Sequence, residues 1–258
     1  MTAKALVILS GGQDSTTCLF WAKTIYDEIH AITFDYGQRH RIEIDSAIRV
    51  ASMADVASHE IVAVPNCLIS MSPLTSANAL EKYENPEQME KVIGARRELT
   101  FVPMRNALFL TIAANRAEAR GITDLVTGVC QMDNANYDDC RRIFINATED
   151  YINYALGHDH RGTPRINLVT PLMHLSKEGT VQLATQLPGC WQALAYTHTS
   201  YDGKYPPTDM NHANVLRADG FAKAGLPDPL VLRAVAEGLM PFPDTPNYQN
   251  IQLPLAGI

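Results

Sequence analysis

A short apolar run, KALVI at residues 4–8, passes through LSGGQ directly into DSTTCLFWAKTIY, where Cys18, Leu19, Ala22 and Ile25 recur at helical spacing. A buried strand that becomes a helix across two glycines belongs to βαβ architecture, because parallel strands need a long crossover to return to the same sheet. The alternation continues. HAITFDYG is a second strand ended by Gly37, RIEIDSAIRVASMA a helix, and HEIVAVP a third strand. DLVTGV reads as a fourth strand and INLVTPL as a fifth. Between the third and fourth strands lies RNALFLTIAANRAEARG, apolar nearly all round and so expected to be buried, with Gly121 closing it. SKEGTVQLATQL is a helix capped by Ser176. Residues 67–100 read as a long polar surface loop. The pattern predicts an α/β fold built on a mainly parallel sheet.

After about residue 187 strand-like runs stop and Pro and Tyr rise, which predicts a main unit at 1–187 and a small helical C-terminal extension at 188–258. Within it NVLRADGFAKAG and DPLVLRAVAEGL read as short helices. A chain of 258 residues has room for one large domain plus such an appendage. With 21 Lys and Arg against 28 Asp and Glu, the net charge of −7 argues against a surface that coats nucleic acid. It leaves room for a small anion held by a few placed cations. The five cysteines form no CxxC pair and are odd in number, which suits reduced thiols. Cys130 and Cys140 are read as spectators. No run approaches the ~18 apolar residues of a membrane span, and ALVIL is too short for a signal-peptide core. A soluble cytoplasmic protein, bound to neither membrane nor nucleic acid, is expected.

In open parallel sheets ligands sit beyond the carboxyl ends of the strands. Ser10–Ser15 occupies such a place. Gly11 and Gly12 permit close backbone approach and positive φ. The unpaired N–H groups of the following helix favour an anion, and Ser10, Ser15 and Thr16 add hydroxyl donors. Asp14 would repel a bare phosphate and makes most sense as a ligand to Mg2+ carried by that phosphate. The alternative is a glycine-rich turn with an ordinary N-cap. A Walker A loop is absent, as is its lysine.

SGGQDS resembles the SGGxDS loop of the PP-loop ATP pyrophosphatases, which implies the adenine-nucleotide alpha-hydrolase-like fold and cleavage of ATP between its α- and β-phosphates. Four further stretches stand at strand ends or helix starts on one rim: TFDYGQRH (33–40), FVPMRNALFLT (101–111), TGVCQMDNANYDDCR (127–141) and TPLMHLSKEG (170–179). With the loop they resemble the QueC family of 7-cyano-7-deazaguanine synthases over about residues 4–225. That resemblance implies conversion of 7-carboxy-7-deazaguanine and ammonia to the nitrile, with ATP consumed to AMP and pyrophosphate. It also implies a homodimer. Leu9, Ser10, Gly11, Gly12, Gln13, Asp14, Ser15, Thr16 and Thr17 would hold the nucleotide, with Phe34 and Asp35 beside the adenine. Arg105, at the start of a helix, would contact phosphate or substrate carboxylate, and a surface ion pair is its alternative. Lys177 would stabilise charge at the phosphates, or else be a solvated lysine. Asp133, Tyr137 and Asp139 suit a guanine-like edge as acceptors and a stacking ring, or are surface polars. Arg39 and His40 stay undecided between closing over the ligand and starting a helix.

The resemblance breaks near the C-terminus. The family carries four zinc-binding cysteines there, and Ser200, Thr208, Asn211 and Asn214 stand in their places. None is a good zinc ligand, and Cys190, His198, Asp209 and His212 match no standard spacing, so zinc is not expected. YDGKYPP and the amides of Asn211 and Asn214 are expected to stiffen the loop instead. The departure leaves room for an amide-forming variant. A different PP-loop adenylating ligase and a non-catalytic nucleotide-binding module also compete with the nitrile-forming reading.

Overall fold

The computed structural model describes residues 2–38, 41–65, 67–76, 78–132, 136–249 and 251. The elements run β1 (Lys4–Ile8), α1 (Gln13–Ala22), β2 (Glu28–Asp35), α2 (Ile42–Ala54), β3 (Ser58–Ala63), α3 (Pro86–Ile93), α4 (Arg105–Ala119) and β4 (Asp124–Val126). There follow α5 (Arg142–Leu156), α6 (His158–Arg161), β5 (Asn167–Val169), α7 (Lys177–Gln186), α8 (Cys190–Leu194), α9 (His212–Lys223) and α10 (Pro229–Ala236). The five strands form one parallel sheet in the order β3-β2-β1-β4-β5. β1 lies at its centre, with Val7 opposite Ala31 on one side and Val126 on the other. The chain winds outward from β1 in both directions. The crevice for a ligand therefore falls beyond the carboxyl ends of β1 and β4, where the winding reverses.

Side-chain alternation along β1 divides the interior in two. Ala5 and Val7 face one core, with α1, α2, α7 and α8, while Leu6 faces the other, with Leu110 of α4 and Ile145 of α5. Helix α1 is buried on almost every side, including Thr16 and Thr17 at 0% exposure. Cys190, Ala193 and Leu194 of α8 and Phe221 of α9 join that same core. None of the described helices is long and apolar enough to cross a membrane.

Two expectations change. The stretch 67–100 is not all loop: α3 buries Met89 and Ile93 against Tyr83 and Val215. Its start was signalled by Asn85, whose side chain accepts from the Gln88 N–H, and by Pro86 in the first turn. Helix α4 is not buried all round. Leu110, Ala113, Ala114 and Ala117 are covered, whereas Thr111, Asn115 and Glu118 face water. Short apolar residues interleaved with polar ones made a one-sided stripe look continuous. Gly121 does follow α4 in a left-handed conformation, φ 64°. The Ser176 side chain does cap α7, accepting from the Gly179 N–H.

The C-terminal helices are tied by one buried ion pair. The Arg217 Nε and Nη2 donate to the two Asp228 carboxylate oxygens at 2.6 and 2.8 Å, and both residues are 3% exposed. Nη1 donates to the hydroxyls of Thr197 and Thr199, and Asp228 also caps α10 at the Leu230 N–H. Removing one partner of such a pair strands a buried charge. Asp228→Ala is expected to lose about 3–5 kcal/mol of stability, read as a lower urea midpoint at unchanged m-value.

Candidate functional site

The loop after β1 is shaped by what packs behind it. Gly11 has φ 86°, and a Cβ there would stand 2.2 Å from the Glu43 carbonyl oxygen and 2.8 Å from the Ala47 nitrogen. Its missing side chain thus admits the first turn of α2, rather than a ligand. Gly12 precedes α1 in extended conformation, with no side-chain cap on the helix. The first-turn N–H groups are therefore left for an anion. The Ser15 hydroxyl accepts from the Ser10 N–H at 3.2 Å and lies 3.0 Å from the Ser10 hydroxyl. The loop is held in shape by its own serines.

From the other side, a Cβ on Gly128 would meet Ser15 N at 3.1 Å and Asp14 C at 3.2 Å. The end of β4 therefore lies against the first turn of α1. Sequence reasoning missed this glycine, although it stands just past a strand on the ligand rim. Gln13 is 5% exposed and lines the cavity, and its amide nitrogen has no hydrogen-bond partner among the described residues. A buried donor of this kind fits an acceptor oxygen from a ligand.

Lys177 opens α7 and reaches back across 163 residues to Asp14, Nζ to Oδ2 at 2.9 Å. Its stem is confined by α9, since a Cβ on Gly220 would stand 2.5 Å from Lys177 Cγ. The two charges are 13% and 27% exposed on the side chain, so little water screens them. The Asp14 carboxylate is also a hard oxygen ligand of the type Mg2+ takes.

Arg105, the first residue of α4, enters the cavity beside Tyr36, Tyr137 and Tyr201. Burial works against its charge, but the three phenols and Asp139 outweigh that and hold its pKa above the ordinary value. The Tyr137 ring is fixed from outside, its hydroxyl 2.6 Å from Thr100 Oγ1 and 3.2 Å from the Glu98 carboxylate. Phe34 stacks on Phe109 with centroids 4.2 Å apart. Glu43 also faces the cavity, its carboxyl pushed up to about 7 by burial, with Arg105 pulling the other way.

The cavity thus brings together Leu9, Ser10, Gly12, Gln13, Asp14, Ser15, Phe34, Arg105, Tyr137 and Lys177 of the residues expected from sequence. Other expected residues do not line it. Gly11 faces α2, and Thr16 and Thr17 are buried in α1, with the Thr17 hydroxyl donating to the Gln13 carbonyl. Asp35 accepts from the Gly37 N–H and pairs with Arg41 at 3.7 Å. Asp139 stands behind Arg105, its carboxyl pushed up by burial and pulled back by that guanidinium. Asp133, Arg39 and His40 lie outside the described residues. The thiols of Cys18 and Cys190 are raised by burial, and the Cys130 thiol donates to the Leu175 carbonyl at 3.1 Å.

The C-terminal segment supplies residues that sequence reasoning did not place at the cavity. The His198 N–H donates to the Gly11 carbonyl at 2.9 Å, and His198, Tyr201 and His212 line the cavity. Burial lowers the His198 pKa, while the hydrogen bond that its Nε2–H donates to the Ser200 carbonyl pulls the other way. Behind this segment Asp209 collects donors. The side-chain amides of Asn211 and Asn214 and the hydroxyl of Ser200 all reach its carboxylate. The Asn211 side chain in turn accepts from the Asn214 N–H at 3.1 Å and caps α9. The amides expected to bond across the loop instead bond locally to Asp209, and it is the Ser200 hydroxyl that reaches across the loop to the same carboxylate. Thr208 is exposed beside it. Among the described residues no group of three or more His, Cys, Asp and Glu side chains is arranged to hold a metal.

Comparison with known proteins is specific. The family described as "Queuosine biosynthesis protein QueC" matches residues 4–225. A protein of Chromobacterium violaceum named 7-cyano-7-deazaguanine synthase is 47% identical, over 91% of this chain and 95% of its own length. Proteins of the same name from Laribacter hongkongensis and Gloeobacter violaceus are 47% and 44% identical, over 89% and 88% of this chain.

Asp209→Ala leaves the Asn211 and Asn214 amides facing a half-buried gap, while the Ser200 hydroxyl keeps Asp202 as an acceptor. The expected loss is about 1–3 kcal/mol, seen as a lower melting temperature with new protease cleavage between residues 200 and 211.

Proposed function

Because the chain belongs to the QueC family of queuosine-biosynthesis proteins, we propose that its cavity converts 7-carboxy-7-deazaguanine and ammonia to 7-cyano-7-deazaguanine, spending ATP to AMP and pyrophosphate. One observation carries the reading. The loop after β1, with its buried Gln13 amide and open helix terminus, shares a single cavity with Arg105 and Tyr137, and the Lys177–Asp14 contact stands at its edge. A cradle for phosphates and a pocket for a flat anionic heterocycle are thereby contiguous.

A carboxylate is a poor electrophile, so it must be given a leaving group. The loop and the first turn of α1 hold the nucleotide so that the substrate carboxylate reaches its α-phosphorus. An O–P bond forms and the bond to pyrophosphate breaks. Lys177 supplies positive charge where the leaving phosphate gathers negative charge, in a position fixed in advance by α9. Mg2+ bound with the phosphates would be held by Asp14 and would neutralise part of their charge. Arg105 sits where it can orient the substrate carboxylate, and Tyr137 offers a ring for the deazaguanine. Ammonia displaces AMP to give the amide. A second adenylation, on the amide oxygen, lets loss of AMP and a proton yield the nitrile. Asp133 and Asp139 are assigned to the deazaguanine edge, and Phe34 and Asp35 to the adenine, on the resemblance alone. Residues 188–258 act as an extension that closes the cavity, and a cytoplasmic homodimer using free ammonia is the working form. Asp209 replaces a zinc clamp, so the purified protein is expected to carry no stoichiometric zinc.

Incubation with ATP, ammonium and 7-carboxy-7-deazaguanine tests the reading by mass spectrometry of the product. The nitrile mass is expected, with AMP formed twice as fast as nitrile. An amide end product, or AMP release independent of the deazaguanine, overturns it. Lys177→Met is expected to lower kcat about 10²–10³-fold with a smaller change in KM for the deazaguanine, measured by pyrophosphate release.

A further inference from the structure

Glu43 has no part in the chemistry described so far, yet it is built into the site. It lies in the first turn of α2, and its backbone carbonyl is the atom that leaves no room for a side chain on Gly11. The phosphate loop and Glu43 are therefore fixed to each other. Its side chain lines the cavity with Arg105 from α4, Tyr36 beyond β2 and Tyr201 from the C-terminal segment. Arg105 acts on its carboxyl electrostatically, and, besides burial, the Glu43 charge in turn raises the phenols of Tyr36 and Tyr201. Asp14, Lys177 and His198 face the same space.

A carboxylate works against a cavity that must hold phosphates and a substrate carboxylate. Its presence is useful if something in the reaction arrives positive or sheds a proton. Ammonia does both: it exists in neutral water mostly as ammonium, and the nitrogen that attacks the acyl carbon must lose protons. Other groups of the cavity can also take a proton. Asp14 is paired with Lys177. His198 donates from Nε2 to the Ser200 carbonyl and keeps its other ring nitrogen as an acceptor, and His212 also lines the cavity, but Glu43 is the one of these that interacts with Arg105, the residue assigned to the substrate carboxylate. Burial raises the phenols of Tyr36, Tyr137 and Tyr201 and keeps them protonated at neutral pH.

We propose that Glu43 is the general base for the nitrogen nucleophile, an inference that rests on the adenylation reading above. As the C–N bond forms, the C–O bond to AMP breaks and its electron pair leaves with AMP. The Glu43 carboxylate takes the proton from nitrogen and returns it to solvent. Below a pH of about 7 the carboxyl is protonated and cannot accept, and above that pH the carboxylate can. Turnover, referred to the free ammonia present at each pH, therefore rises through neutrality.

Glu43→Gln and Glu43→Asp test this. Wild type and variants are compared across the neutral pH range with ammonium or with hydroxylamine, a nucleophile that is uncharged at neutral pH. ATP–pyrophosphate exchange, driven by 7-carboxy-7-deazaguanine, reports adenylation and an intact site. For Glu43→Gln, ammonium-dependent AMP release is expected to fall about 10²-fold or more and to lose its acid limb. Exchange persists, hydroxylamine restores turnover as the hydroxamate, and Glu43→Asp recovers part of the ammonium rate. Exchange lost together with turnover in both variants, or an acid limb retained in Glu43→Gln, overturns the assignment. A wild-type enzyme that shows no exchange with 7-carboxy-7-deazaguanine overturns the adenylation reading itself, and the assignment with it.

Discussion

The contact between Lys177 and Asp14 joins the parts on which this site depends. Asp14 belongs to the first turn of α1, directly after the glycine loop, and Lys177 to the first turn of α7, which follows the outermost strand β5. Each charge sits on a helix start whose position the sheet determines. The lysine stem is pressed by α9, where only a glycine at 220 leaves space. A cation so confined has little freedom to lose on meeting an anion, unlike a mobile surface lysine.

The C-terminal segment is as much a wall of the cavity as the sheet is. It touches the glycine loop after β1 through the bond from the His198 N–H to the Gly11 carbonyl, and it brings Tyr201 and His212 to the cavity. Two polar clusters hold it. The Arg217–Asp228 pair is fully buried and satisfied by threonine hydroxyls and a helix cap. The second cluster, around Asp209, gathers Ser200, Asn211 and Asn214, three of the positions where the sequence resemblance implied zinc-binding cysteines. A carboxylate accepting several donors joins the same loop ends with the signs reversed, since a zinc ion is a cation surrounded by acceptors and Asp209 an anion surrounded by donors. Unlike a metal site, such a hub needs no ligand deprotonation to form.

Charge inside the cavity is balanced over short distances, although the whole chain carries −7. Burial works against the Arg105 charge, but the acidic groups around it, Asp139 among them, hold its pKa above the ordinary value. Glu43, whose backbone carbonyl packs against Gly11, is pushed toward its neutral form by burial. Net charge was sufficient to argue against a nucleic-acid coat. It said nothing about which side chains would face one another inside a cavity.

Much of the frame was legible because it rests on local rules. Apolar runs alternating with helical spacing, the glycine loop, the Ser176 cap and the left-handed Gly121 all follow from residues near one another in the chain. The position of the phosphate loop on the carboxyl rim follows from the order of those elements. The two misreadings have different causes: α3 was signalled by a local cap that composition obscured, whereas the exposed side of α4 depends on what covers the sheet. Nothing local distinguishes Gly11 as the seat of α2, Gly128 as the neighbour of Ser15, or Glu43 as a cavity residue. These contacts join residues far apart in sequence, so packing decided them. Likewise the chain announced that four cysteines were missing, but only the folded loop put Asp209 among Ser200, Asn211 and Asn214. Sequence determined which elements form and what kind of ligand their rim can hold. Tertiary structure decided which charges meet there, because Coulomb and hydrogen-bond energies depend on distances in space that spacing along the chain does not specify.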